Sequence, residues 1–266
     1  MGVLFANIFA IVRKEFQSYF ASPFAYIIAG VFWFISGLLF SGILLGPSGV
    51  IAQVAVRDQF GGGAPPVDVP TQFLTVYLGV IGSLALFVLP MLSMGLYAEE
   101  RKRGTLELLA TSPITNWAVA LGKLLGVLSF FVVMILPILI YEAIAFAAAT
   151  PAISPVPLLL GHLGLVLLGA AVLSLGMFIS SLTDSTILAA ILTFGVMLLL
   201  WVTDLIANGI GGPLGDAIAH LSLLQSYGNL IQGIVDTSDL ILFGSYIFLG
   251  IFLTAQSIEL LRYQRA

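Results

Sequence analysis

Few side chains in this sequence can do chemistry, and their placement limits what that chemistry is. Among 266 residues there are 13 acidic and 9 basic residues, 2 histidines and no cysteine. Without cysteine there are no thiol nucleophiles, thiolate-bound zinc sites, iron–sulfur clusters or disulfides. His162 and His220 are far apart in sequence, and each suits a local hydrogen bond better than a metal site or a relay. A hydrolase or acyltransferase would have to draw its nucleophile–base pair from Glu142, His162 and His220, which is weak raw material. Nucleotide chemistry fares no better. The Gly122-Lys123 pair is followed by Leu124 and opens an apolar run, so it is no phosphate-cradling loop. The expectation is a non-catalytic chain that binds no cofactor and no metal of its own.

The densest polar cluster is Glu99-Glu100-Arg101-Lys102-Arg103, followed by Gly104-Thr105-Leu106-Glu107-Leu108-Leu109-Ala110-Thr111-Ser112-Pro113. Gly104 or Thr105 can cap a short helix that sets Leu106, Leu108 and Leu109 beside Glu107. Pro113 ends it and pushes Ser112 extended. Such a helix is a protrusion that another protein can grip; the plainer alternative is a charged loop that only fixes topology. Of the isolated acids, Glu142 follows Pro137 by five residues. It either belongs to a path or gate, or is satisfied by backbone that the proline frees or by re-entrant helices before the last span. Asp204 reads as an interfacial carboxylate and Asp184 as a helix cap. Pro90 lies inside an apolar run and is a candidate hinge.

These residues must be positioned in a membrane. The chain is 60% hydrophobic and 8% charged, where a soluble domain carries about 25% charged residues. Mean hydropathy is +1.14, and the net charge of −4 with a pI near 5.0 offers no basic surface for nucleic acid. Six apolar runs of bilayer length, about 24–45, 72–96, 124–149, 158–181, 186–206 and 240–261, predict an all-α integral membrane domain with six spans. Residues 4–20 alternate apolar and polar at helical spacing, with Arg13, Lys14 and Glu15 among the polar positions and Tyr19 among the apolar ones. That pattern predicts an amphipathic helix in the interface. Ser22-Pro23 then restarts the chain as an elbow.

Arg13, Lys14, Arg101, Lys102, Arg103, Lys123, Arg262 and Arg265 all fall on one side of this arrangement, and only Arg57 on the other. The basic side is cytoplasmic by the positive-inside rule, with both termini there. The connection 98–122 is thus cytoplasmic. Residues 47–71, rich in Gly and Pro, read as an irregular outer loop, and 207–239 as short re-entrant helices packed on protein. Gly122 and Gly126 have the spacing of a close helix contact, a weak signal in a span.

The string E-E-R-x-x-G-T-L-E-L-L-x-T-S-P, from Glu99 to Pro113, resembles the cytoplasmic loop of ABC type-2 transporter permeases. R-K-E-F-x-x-Y-F-x-S-P, from Arg13 to Pro23, is similar to that family's opening, and most of all to its gliding-motility-type branch. The resemblance implies a membrane-spanning permease subunit of an ATP-driven export complex, moving substrate outward or transmitting motion. Glu99, Glu100 and Arg101 would form the acidic–basic cluster at the end of the second span. Gly104, Thr105, Leu106, Glu107, Leu108 and Leu109 would form the coupling helix, which Thr111, Ser112 and Pro113 close, and Arg13, Lys14, Glu15 and Tyr19 would belong to the elbow. Position 110 is Ala where relatives often carry Leu.

The same resemblance implies partners: a separate ATP-binding subunit holding ATP and Mg, a second permease copy or related permease, membrane lipid, and an auxiliary subunit with an outer domain. It would put the second and fifth spans at the permease interface, in the inner (plasma) membrane. A stand-alone secondary carrier predicts ionisable residues at mid-membrane and an internal repeat, and the sequence has neither.

Overall fold

The computed structural model describes residues 2–60, 69–106, 114–147, 154–210, 212, 215 and 220–263. Among them the chain is helical, with no strand. Helix α1 spans Gly2–Ala21, α2 Pro23–Leu45, α3 Val50–Phe60, α4 Val69–Ser93 and α5 Gly95–Lys102. There follow α6 (Asn116–Ala147), α7 (Val156–Leu182), α8 (Thr186–Ile210), α9 (Leu223–Ile231) and α10 (Thr237–Tyr263).

Five stretches are long and apolar enough to cross a membrane: Pro23–Arg57, Val69–Lys102, Asn116–Ala147, Val156–Leu182 and Thr237–Leu260. The apolar part of α8 that is described, Thr186–Val202, is shorter. The chain is a multi-pass membrane protein.

Helix boundaries follow local chemistry. Ser22 is extended, its N–H bonds the Tyr19 carbonyl at 3.1 Å, and Pro23 opens α2. Proline loses nothing there, because a first-turn N–H has no helical partner. Four boundaries differ from the sequence reading. Residues 47–71 are not wholly irregular, since Val50–Phe60 is helical. The glycines and prolines that signalled a loop flank that segment and none lies inside it. Helix α4 begins at Val69, a little before the expected 72. Helix α6 begins at Asn116 rather than near 124, because the Thr115 hydroxyl accepts from the Ala118 N–H and no breaker follows. Finally, Ser185 rather than Asp184 caps α8: its hydroxyl accepts from the Leu188 N–H at 3.3 Å.

Helix α7 occupies the centre. It buries Gly161, Gly164, Gly169, Ala170, Ala171, Ser174 and Gly176 along with its leucines, and contacts α4, α5, α6, α8, α9 and α10. A helix apolar all round belongs in the interior. By contrast α2 and α8 leave Phe34, Ile187, Ile191 and Leu199 exposed, as lipid-facing or partner-facing helices do.

In the expected re-entrant region, α9 is a short helix packed on α4, α7 and α10. Ser222 caps it by accepting from the Gln225 N–H, and the Tyr227 hydroxyl donates to the Leu78 carbonyl of α4 at 2.8 Å. Asp216 lies outside the described residues, as does the Asp204 side chain, and His220 is exposed.

Candidate functional site

The sequence gives α1 and α6 a complementary seam. Gly122 and Gly126 lie one turn apart on α6, and a Cβ at Gly126 would come within 2.5 Å of the Glu15 Cβ. At Gly122 the same atom would meet Ile11 at 2.8 Å. Only glycine permits this approach, so the small-residue spacing serves the contact with α1. Between the two glycines stands Lys123, only 2% exposed.

A buried ammonium must spend all three donors. Lys123 Nζ does so, donating to Glu15 Oε1 at 3.0 Å, Glu100 Oε1 at 2.8 Å and the Leu96 carbonyl at 2.7 Å. It also sits 4.9 Å from the centre of the Tyr97 ring, a cation–π distance. Lys14 closes the arrangement from the exposed side, 3.1 Å from both Glu15 Oε1 and Glu100 Oε1. Two ammonium groups and two carboxylates make a neutral quartet that joins α1, α5 and α6. Burial works against the Lys14 charge, but Glu15 and Glu100 outweigh it and hold its pKa above the usual lysine value. The Tyr19 phenol is pushed up by burial, then by Glu15 and Glu99. It donates to the Leu92 carbonyl and so fixes α1 to α4 as well.

Helix α5 is also pinned to α7. Ser180 Oγ donates to the Met94 carbonyl at 2.7 Å and accepts from the Tyr97 and Ala98 N–H groups at 3.1 and 3.0 Å. One hydroxyl thereby satisfies the break between α4 and α5. Arg101 Nη1 donates to the Ser181 carbonyl at 2.9 Å. The segment after α5 thus leaves from a helix tied to α1, α6 and α7. Beside the quartet opens a cleft of about 540 Å³ lined in part by Lys14, Glu99, Glu100, Arg103, Thr105 and Ile114.

The expected site residues therefore divide. Glu100 and Arg101 make contacts within the chain, whereas Glu99 is more exposed and pairs with Arg103 at 3.5 Å. Gly104 has φ +69 and Thr105 Oγ1 turns back to the Glu100 carbonyl, so both close α5. Leu106 is buried. Glu107, Leu108, Leu109, Thr111 and Pro113 lie outside the described residues. Of the α1 residues, Glu15 and Lys14 join the quartet, Tyr19 holds α4, and Arg13 is exposed. Pro90 is buried within α4, four residues before the α4–α5 break.

Glu142 is on the same helix as Lys123 but near the other end, about 28 Å away at 1.5 Å per residue. It is not part of this site.

Sequence reasoning missed Lys123 as a site residue, counting it as a loop charge. The available signal was a lone lysine between two glycines in an apolar run, which calls for an acidic partner.

A sequence profile described as ABC-2 family transporter protein matches residues 5–255. The chain belongs to the ABC-2 transporter family. A comparison with curated proteins returned no match. The matched segment takes in most of α1, all of the helices from α2 to α9, the whole quartet and most of α10. ABC-2 permeases are generally non-catalytic membrane components that work with an ATP-binding subunit.

Proposed function

We propose that this chain is the membrane-spanning subunit of an ATP-driven export complex. With six spans, α8 being the fifth, both termini and the quartet lie on one side, and the lysine and arginine bias supports the cytoplasmic side of the inner membrane. Residues 104–113 form the coupling segment that seats on a separate ATP-binding subunit, which holds ATP and Mg. Two permease copies, or this one and a related permease, complete the membrane part. They would meet along α4 and α8, whose exposed apolar residues Phe87, Leu198 and Trp201 flank a shared groove. An auxiliary subunit with an outer domain is a further partner. The elbow text from Arg13 to Pro23 supports membership of the gliding-motility-type branch.

The observation that carries this reading is the Lys123-centred quartet. A subunit driven from outside must pass displacement from a short cytoplasmic segment into its spans, and rigid attachment of that segment does so. Here α5 is held to α1 and α6 by four charges and to α7 by Ser180 and Arg101. A push on residues 104–113 therefore reaches three helices together. The output is outward movement of substrate, or mechanical transmission across the membrane.

The test is purification of the chain from its native membrane in mild detergent with assay of ATP hydrolysis. An ATP-binding subunit should co-purify, and Glu107→Lys should abolish the association while leaving the chain inserted. Recovery of the chain alone, without ATPase activity, would overturn the proposal.

A further inference from the structure

At the end of the bundle remote from the quartet, two ionisable side chains are buried with no ordinary compensation. Glu142, near the end of α6, is fully buried, and His162, in the second turn of α7, nearly so. His162 Nδ1 donates to the Leu158 carbonyl one turn back at 3.0 Å, which leaves Nε2 as the free nitrogen. Nε2 lies 3.4 Å from Glu142 Oε2, yet neither carboxyl oxygen nor Nε2 has a hydrogen-bond partner. Pro137 does not resolve this, since none of the backbone it frees reaches the carboxyl.

The other titratable groups facing Glu142 are Tyr77 of α4 and Tyr227 of α9. Both hydroxyls are engaged elsewhere, Tyr77 on the Ser36 carbonyl at 3.2 Å and Tyr227 on the Leu78 carbonyl at 2.8 Å. Among the described residues the only other group within ion-pair distance of the carboxyl is His162.

We propose that Glu142 and His162 form a binding site for a single proton, in which the protonated carboxyl donates to imidazole Nε2 and latches α6 to α7. The bond to Leu158 fixes the tautomer, since with Nδ1 carrying its hydrogen a neutral ring offers Nε2 only as an acceptor. A bare carboxylate with two unmet oxygens in an apolar interior is strongly disfavoured. One proton placed on Glu142 cancels that charge and satisfies Nε2 in the same bond. A closing movement of roughly half an ångström brings 3.4 Å to an ordinary O–H···N distance. The proton comes from water and returns to it, and its departure leaves the two helices without their polar tie at this depth. The inference stands apart from the transport reading, because the pair lies within one chain.

The test is infrared spectroscopy of the full-length chain in detergent near neutral pH, with unfolding temperatures measured alongside. Wild type should show a protonated-carboxyl C=O band that Glu142→Gln removes. The glutamine amide can still donate to Nε2, so this variant should fold. Raising the pH should remove the wild-type band and lower its unfolding temperature relative to Glu142→Gln. If Glu142→Gln does not fold, His162→Phe serves: the band should move as the carboxyl loses its acceptor. Spectra identical in wild type and variant, or unfolding temperatures that run parallel with pH, would overturn the proposal.

Discussion

The two ends of α6 each bury an acid, and they treat it in opposite ways. Near its N-terminus, Glu15 and Glu100 meet Lys123 and Lys14, all three Lys123 donors are used, and glycines draw the partner helix in. Near its C-terminus, Glu142 faces a single imidazole, and three polar atoms there are unmatched. A charge compensated by opposite charges is fixed in place: moving any member strands another in a low-dielectric setting, which makes a stiff joint. A charge with no opposite neighbour is best removed by a proton, which makes a responsive contact. One helix thus carries a rigid attachment at the end where force would enter and a titratable one at the other.

The comparison breaks most clearly at Lys123. Lys123→Met leaves Glu15 and Glu100 facing each other with only Lys14 between them, and should cost about 3–5 kcal/mol, as loss of one partner of a buried ion pair does. Folded yield and unfolding temperature in detergent check this. Adding Glu15→Gln to Lys123→Met should recover part of the loss. Full additivity of the two substitutions would show that the quartet is not one unit. Next in size, Gly126→Leu forces α1 away from α6 and should cost about 1–3 kcal/mol, the range for overpacking. If that variant unfolds as wild type does, the close seam is not needed.

Ser180→Ala removes a hydroxyl that serves three backbone groups of the α4–α5 break. It should cost about 1–3 kcal/mol, read from the same unfolding curves and from faster amide exchange at Tyr97 and Ala98. The smallest effect is at Asp236, which is fully exposed and caps α10 through the Ser238 N–H. That bond holds its carboxyl below the usual aspartate range, so its contribution is present above about pH 4 and fades as pH falls further. Asp236→Ala should leave neutral-pH unfolding almost unchanged and slightly flatten the acid limb.

Much of this arrangement can be read from residues alone, for identifiable reasons. Ser22-Pro23 marks the restart of the chain because proline suits a first helical turn and little else in a span. The span order follows from apolar length, whereas the central, buried place of α7 emerges only from the packed structure. What stays hidden is pairing at a distance. Nothing local says that Lys123 meets residues 108 and 23 positions away in Glu15 and Glu100. The string from Glu99 to Arg101 reads as a surface for a partner because its charges are dense, yet Glu100 and Arg101 are spent inside the chain. Helix α3 escapes because it is short and lies between two Gly- and Pro-rich stretches that together read as one loop. Glu142 and His162 each stand out in the sequence, but their pairing does not, since α6 and α7 bring them together only when packed.

The central claim is that the segment following α5 seats on an ATP-binding subunit. The sequence has no cysteine, so Glu107→Cys gives a single attachment point for a photo-activated cross-linker in native membranes. The account predicts one dominant adduct, to an ATP-binding protein, which is lost when Lys123→Met removes the joint that positions the segment. An adduct confined to lipid or to a second copy of this chain would contradict it.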